Sequence, residues 1–205
     1  MESGSNMKVL GIYGSPRAGG NSDLLLDEAL KGAASEGAEV SSIRCCDLDI
    51  HGCAECGGCD KTGKCVINDD MQKVYPQILE AEVVIVASPI FFYSLNAQVK
   101  ALMDRGQAMW CKRFLEKTPA QRKSYDSGRG YLISVGATKG KNLFEGAQLV
   151  AKYFFDALDM SYEGGLFVRS VDGKGEITKH PEYLQQALEL GKCTVTGCAP
   201  PNPAS

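Results

Sequence analysis

Histidine and tryptophan are scarce in this 205-residue chain, which holds only His51, His180 and Trp110. With so few imidazoles and no GxSxG nucleophile elbow, there is little to support a hydrolase triad. Long apolar runs are missing too. The strongest one, Val83-Val84-Ile85-Val86-Ala87, is stopped by Pro89 and is far too short to cross a bilayer. The first residues include Glu2 and have neither a basic start nor a long apolar stretch, so a cytoplasmic rather than an exported protein is expected. A basic stripe is also absent. The densest cationic cluster, Lys112, Arg113, Lys117, Arg122 and Lys123, has only Trp110 and Phe114 beside it, and the net charge is -3. Such a cluster suits a solvated surface, and neither nucleic acid nor membrane is expected as a partner.

What is present is an alternation of strand and helix patterns. Lys8 to Tyr13 is a short apolar run ending at Gly14, as a parallel strand buried on both faces would be. Leu24, Leu25, Ala29 and Leu30 then fall on helical spacing, with Asn21 or Ser22 as the cap and Gly37 as the stop. Val40 to Cys45 is a weaker second strand, Met71 to Ala81 a helix behind Asp69 and Asp70, and Val83 to Ala87 a third strand. A helix around Ala97 to Met103 follows, then a strand at Tyr131 to Val135, a helix at Phe144 to Leu158, a strand at Leu166 to Val168 and a helix at Pro181 to Leu190. The pattern predicts an α/β protein of three layers, a doubly wound five-stranded parallel sheet of order 2-1-3-4-5 in the flavodoxin-like manner. One domain is expected over residues 8–190, carrying a cysteine-rich loop at 51–68, with an extension at 1–7 and a tail at 191–205. Ligands of such sheets bind where the strand order reverses, between the first and third strands.

The loop after the first strand is Gly14-Ser15-Pro16-Arg17-Ala18-Gly19-Gly20-Asn21-Ser22. Its glycines permit close backbone approach, while the hydroxyls of Ser15 and Ser22, the Asn21 amide, the Arg17 guanidinium and the N–H groups of a helix start all favour an anion. It matches neither GxGxxG nor the triphosphatase loop GxxxxGKS/T, which disfavours a dinucleotide and a triphosphate.

This loop resembles the phosphate loop of the NAD(P)H-dependent FMN reductase and iron-sulfur flavoprotein families, and the similarity extends over about residues 8–168. The resemblance implies that Ser15, Arg17, Asn21 and Ser22 bind the FMN phosphate. It also implies that Ser88-Pro89-Ile90-Phe91-Phe92-Tyr93-Ser94 borders the flavin ring, followed by the similar segment Leu102-Met103-Asp104-Arg105. Phe91 and Phe92 fit a ring edge, and equally fit a core or an interface. Gly136-Ala137-Thr138, leading to Lys139 and Lys141, is similar to the family's third flavin-side loop; those lysines either steady a reduced flavin or are simply solvated.

Nine cysteines in a chain without an export signal argue against a disulfide framework and turn attention to their spacing. Cys53, Cys56, Cys59 and Cys65 share one short loop with Gly57, Gly58 and Gly63. Four thiolates satisfy zinc or an iron-sulfur centre, and the same loop can also hold unmetallated, redox-active thiols. The spacing resembles the compact motif of iron-sulfur flavoproteins, which implies a [4Fe-4S] cluster beside FMN. Cys45 and Cys46 fit buried or spare thiols; Cys111, Cys193 and Cys198 have no ligand spacing.

The expected function is an FMN-dependent oxidoreductase that moves electrons between a [4Fe-4S] centre and FMN to a small acceptor, with either a ferredoxin or NAD(P)H as the donor. The alternative is an NAD(P)H-dependent FMN or quinone reductase with no cluster; a binding module with structural zinc is a third reading. The cysteine loop lies on the flank away from the switch point, so a homodimer or homotetramer that brings in another subunit's flavin is expected, with Trp110 in the interface or in the core. Replacing Arg17 with Ala is expected to weaken FMN retention and leave the fold intact, measured by flavin titration; an unchanged FMN affinity would contradict the role given to Arg17.

Overall fold

A computed structural model of the chain describes residues 6–198. In chain order, β1 (Lys8–Tyr13), α1 (Asn21–Ser35) and β2 (Glu39–Arg44) are followed by the cysteine-rich loop, then α2 (Met71–Glu80), β3 (Val83–Phe91) and a short β4 (Ser94–Leu95). Next come α3 (Ala97–Asp104), α4 (Gln107–Glu116), β5 (Gly128–Gly136), α5 (Glu145–Ala157), β6 (Met160–Arg169) and α6 (Pro181–Thr196). The parallel strands lie in the order β2-β1-β3-β5-β6, the flavodoxin-like order expected, with β4 folding back antiparallel on the end of β3. In register, Leu10 stands beside Val84 and Val84 beside Gly130.

Alternation along the strands builds two cores. Leu10, Ile12, Val84, Val86 and Leu132 face one way, into a cluster completed by Met71, Ile78, Leu102, Met109, Phe154 and Phe155 from α2 to α5. Val9, Val83, Ile85, Ile133 and Val168 face the other way, against Leu25, Leu26 and Ala29 of α1 and Ala187 and Leu190 of α6. Both faces are covered, so the strands are near-continuous apolar runs.

Several features go beyond the sequence reading. β3 continues through Pro89 to Phe91 because Pro89 sits near the sheet's end, where the strand leaves its neighbours to form the hairpin with β4. A helix that the spacing did not reveal, α4, carries Trp110, Cys111, Lys112 and Arg113. Arg113 is buried rather than solvated: its guanidinium donates to the Asp156 carboxylate and carbonyl at 2.9 Å and to the Arg122 carbonyl at 2.9 Å. Lys117 pairs with Asp126 and Asp159. Half of the suspected surface cluster therefore pins α4 to the rest of the fold.

The chain's C-terminal part differs as well. α6 runs to Thr196, with Gly191, Cys193 and Thr194 buried, so the expected tail is in its first residues part of the domain. Cys193 and Cys198 form a disulfide, one exception to the reduced thiols expected. The remainder of the tail and most of the extension at 1–7 lie outside the described residues.

α1 and α6 touch backbone to backbone. A Cβ on Gly191 would lie 1.8 Å from the Ala29 carbonyl oxygen, and one on Gly32 would lie 2.0 Å from that of Leu188. Gly191→Ala is expected to push the helices apart and cost about 1–3 kcal/mol, measured as a lower urea midpoint, with the secondary-structure content by circular dichroism retained.

Candidate functional site

Two cavities lie at the carboxyl edge of the sheet, and they share no residue. The first, of about 110 Å³, is lined by Ser15, Pro16, Arg17, Gly20, Asn21, Ser22, Pro89, Ile90, Phe91, Val135, Ala137, Val171, Asp172 and Lys174. It sits at the switch point between β1 and β3. Gly20 is the N-cap of α1 and no side chain caps that helix, so its first N–H groups are open to an anion. The loop holds its own shape. Ser15 Oγ accepts the Arg17 N–H at 3.1 Å, Gly20 N–H donates to the Arg17 carbonyl at 2.9 Å, and Gly19 N–H donates to Asp23 Oδ2 at 3.0 Å. Asp23 is buried and braced in turn by Arg44 of β2 at 2.7 Å; burial raises its pKa although Arg44 opposes the shift.

Arg17 is exposed, and its guanidinium makes no hydrogen bond or ion pair among the described residues, leaving its charge available to the cleft. Asn21 differs from the expectation. Its amide bridges to the far loop, donating to the Gly173 carbonyl at 2.9 Å and accepting from Ile177 N–H at 3.1 Å. Asn21 is thus chiefly a brace, and what it adds to the cleft is a helix-start N–H. The 171–174 loop escaped the sequence reading, although its position after the last parallel strand and its flanking Gly173 and Gly175 were available as a signal.

The flavin-side loop divides by role. Ser88 is fully buried and does not line the cleft: its hydroxyl donates to the Pro89 carbonyl or Asn96 Oδ1, and its carbonyl accepts from Ser134. Asn96, unnoticed in the sequence, is also buried and donates to the Gly14 carbonyl, tying the ends of β1 and β3 together. Pro89, Ile90 and Phe91 line the cleft. Phe92 and Tyr93 form the hairpin turn with φ of 50° and 61°, a left-handed conformation that bulky residues adopt at a cost of about 1–2 kcal/mol each. Phe92 is fully exposed and Phe91 half-exposed, so neither belongs to the core. Tyr93 instead packs toward Gly140, and Ser94 pairs with Phe91. In the third loop Ala137 lines the cleft, whereas Gly136 and Thr138 do not.

The second cavity, of about 470 Å³, gathers all four motif cysteines, Cys53, Cys56, Cys59 and Cys65, with Arg105 and Gln107 in its wall. Arg105 is the buried cation of the molecule's edge. It donates to Asp69 Oδ1 at 3.1 Å, Asp69 Oδ2 at 2.5 Å and the His51 carbonyl at 2.9 Å, while its own carbonyl accepts from Tyr75 at 2.9 Å. Burial opposes the charge on Arg105, but Asp69, Tyr75 and Cys65 outweigh it and raise the pKa. Its Nε has no hydrogen-bond partner among the described residues, an uncommitted buried donor beside the cysteine cavity. Such a donor suits an anionic thiolate centre.

Spacing among the sulfurs separates the metals. Zinc bound at about 2.3 Å per sulfur needs neighbouring thiolates about 3.8 Å apart. No three of the four motif sulfurs come within 4.8 Å of one another; the group that does is Cys59, Asp60 and Cys111. An iron-sulfur cube spreads its thiolates wider than a single ion, so four cysteines that line one cavity without a tight sulfur group are compatible with it. Cys59 has its thiol pushed up to about 11 by burial and by the neighbouring Cys111. Cys45 is buried and pushed up to about 12, whereas Cys46 is exposed and donates to the Ser15 carbonyl at 3.4 Å.

A doubly wound parallel sheet with an uncapped, arginine-bearing anion cleft at its switch point defines a mononucleotide-binding α/β protein. The model of the family described as NADPH-dependent FMN reductase matches residues 7–162, and the chain belongs to that family. An iron-sulfur flavoprotein of Methanocaldococcus jannaschii is 43% identical over 103 residues, 50% of this chain and 53% of that one. An iron-sulfur flavoprotein of Methanosarcina thermophila is 34% identical over 133 residues, 65% of each chain. The matches thus span about half to two thirds of these relatives. Among solved structures, a flavone reductase superimposes with a TM-score of 0.67 at 21% identity, covering 93% of this chain and 62% of that one, a likeness of fold.

Asp69 is held below the usual carboxylate range: burial alone would raise its pKa, but Arg105 and the N–H groups of His51 and Met71 overcome it. A depressed folded pKa means stabilisation that is present above the unfolded value of about 4 and is lost as pH falls through the folded value. Asp69→Asn is therefore expected to cost about 3–5 kcal/mol at pH 7, since it strands the Arg105 charge. Urea unfolding from pH 7 down to about 3 should show a smaller loss of stability in the variant than in the parent.

Proposed function

We propose that this chain is an FMN-dependent electron-transfer oxidoreductase that holds FMN in the cleft at β1 and β3 and a [4Fe-4S] centre on Cys53, Cys56, Cys59 and Cys65, delivering electrons to a small acceptor. Bound there, FMN supplies two-electron chemistry and the cluster single-electron transfer. The observation that carries the reading is the convergence of all four motif cysteines on one cavity walled by the buried Arg105. In the cleft, the α1 start, Ser15, Ser22 and Arg17 take the phosphate, and Pro89, Ile90, Phe91 and Ala137 border the ring. The Arg105–Asp69 pair, with Arg105 donating to the His51 and Ile67 carbonyls, anchors both ends of the cysteine loop and supports a preorganised site.

Donor and assembly follow from the same arrangement. The two cavities have separate walls, so a homodimer or homotetramer that sets one subunit's cysteine loop near another's cleft shortens the electron path. Exposed Phe114, Leu115, Leu149 and Tyr153, with half-buried Trp110 packed at a tilt against Phe114, support such an interface on α4 and α5. A ferredoxin suits the cluster as single-electron donor. A second reading, an NAD(P)H-dependent FMN or quinone reductase without a cluster, is favoured by the engagement of the Cys59 sulfur with Cys111, outside the motif, at 3.7 Å.

Anaerobic purification followed by visible spectroscopy and iron and sulfide assays tests the choice. Flavin bands with broad cluster absorbance and about four irons and four sulfides per chain are expected. Flavin bands with neither iron nor cluster absorbance would give the second reading the field.

A further inference from the structure

Cys111 belongs to α4, far along the chain from the four-cysteine motif, and no spacing rule connects them. The fold nevertheless sets its sulfur 3.7 Å from Cys59 Sγ and 3.6 Å from Asp60 Oδ1. Cys59 Sγ, Cys111 Sγ and an Asp60 oxygen all lie within 4.8 Å of one another. With metal–sulfur bonds of about 2.3 Å and metal–oxygen bonds of about 2.1 Å, a tetrahedral ion spaces two sulfurs by about 3.8 Å and a sulfur and an oxygen by about 3.6 Å. The Cys59–Cys111 and Cys111–Asp60 separations match two edges of that tetrahedron, and the third pair lies within 4.8 Å.

The position is built into the backbone. Residues 57–63 wind into a tight turn in which Asp60 N–H donates to the Gly57 carbonyl at 3.2 Å and Gly63 N–H to the Cys59 carbonyl at 2.8 Å. Gly63 has φ +65°, and a Cβ there would lie 2.7 Å from Lys112 Cα, so glycine alone lets this turn sit on α4 beside Cys111. Gln107, one turn earlier on the same helix, donates to Cys111 Sγ at 3.6 Å and orients the thiol. Cys111 is buried, Cys59 half-buried and Asp60 exposed, which gives the pocket a closed floor and an open entrance. Two thiolates and one carboxylate select a thiophilic divalent ion of the zinc class over magnesium or calcium.

We propose that Cys59, Asp60 and Cys111 form a site for one thiophilic divalent cation, and that this cation and a four-thiolate centre exclude one another because both require Cys59. Binding displaces the two thiol protons to solvent and forms two metal–sulfur bonds and one metal–oxygen bond, with no change of oxidation state. The exclusion half rests on the iron-sulfur reading above; the cation half does not.

The full chain, reduced, kept anaerobic and stripped with chelator, is titrated with Cd²⁺ by its thiolate charge-transfer absorbance and with Zn²⁺ against a chromophoric chelator. The parent background is Cys53→Ser with Cys56→Ser, Cys46→Ser and Cys198→Ser, which removes two motif ligands and the exposed thiols that could pair with Cys45 or Cys193, and keeps Cys59, Cys65 and Cys111. One ion per chain is expected, weakened at least tenfold by Cys111→Ala and by Asp60→Asn, and less than twofold by Cys65→Ala. Asp60 is exposed, so Asp60→Asn reports on binding even where a change at buried Cys111 disturbs the fold. No binding in the parent background, or binding lost with Cys65→Ala and kept without Cys111 or the Asp60 carboxylate, overturns the site. In the otherwise natural chain, Zn²⁺ loaded beforehand should block assembly of the centre from iron and sulfide, and Cys111→Ala should relieve the block. Assembly at the same rate with and without Zn²⁺ overturns the exclusion. Failure to assemble any centre in zinc-free protein counts against the iron-sulfur reading alone and leaves the cation result standing.

Discussion

The ion pair between Arg105 and Asp69 holds the cysteine-bearing edge of the molecule together. Arg105 closes α3 and precedes α4, while Asp69 ends the long loop and accepts the first N–H of α2 at 3.1 Å. One guanidinium, fully buried, thus fixes the relation of three helices to a loop that has few apolar residues of its own. Two isolated charges would be costly here. They are tolerated because each is satisfied several times over, by the His51 carbonyl on one side and by backbone N–H groups on the other. What this pair positions is the cavity of the four motif cysteines and, through α4, the approach of Cys111 to Cys59.

At the switch point a different principle operates. The β1–α1 loop is shaped by hydrogen bonds to its own backbone and by Asp23, whose carboxylate is itself neutralised by Arg44. The consequence is a loop whose internal needs are met while, among the described residues, the helix start has no side-chain cap and the Arg17 guanidinium no partner. Unmet backbone donors and a free cation at one spot make an anion site by subtraction. Asn96 complements this by locking the strand ends on which the cleft is built, and the strained Phe92–Tyr93 turn presents aromatic surface beyond it. Strain of this kind is a local cost met by the pairing of Ile90 with Leu95 and Phe91 with Ser94.

Short-range patterns carried much of the architecture. Val83 to Ala87 and Tyr131 to Val135 are apolar on both faces because each lies between two helical layers, and that composition is visible without coordinates. The Ser15 to Ser22 loop was legible because its donors are neighbours in sequence. α4 was not, since its inward face is secured in part by Arg113, whose partner Asp156 lies far along the chain, and a charged residue ordinarily signals solvent. The same reason hid Asn96 and turned Asn21 from an expected ligand into a brace: an amide's role depends on which carbonyl the fold brings to it.

The sequence by itself determined the strand and helix alternation, the sheet order that follows from right-handed crossovers, the anion-binding loop and the density of thiols in one segment, because each depends on residues within a turn or two of one another. Only the tertiary structure decided which sulfurs meet. Cys53, Cys56, Cys59 and Cys65 share a cavity, while Cys59 forms a tight ligand group with Asp60 and Cys111, all within 4.8 Å of one another. Metal geometry is set by distances of a few ångströms, and across separate elements those distances come from how a helix packs, which spacing along the chain does not encode.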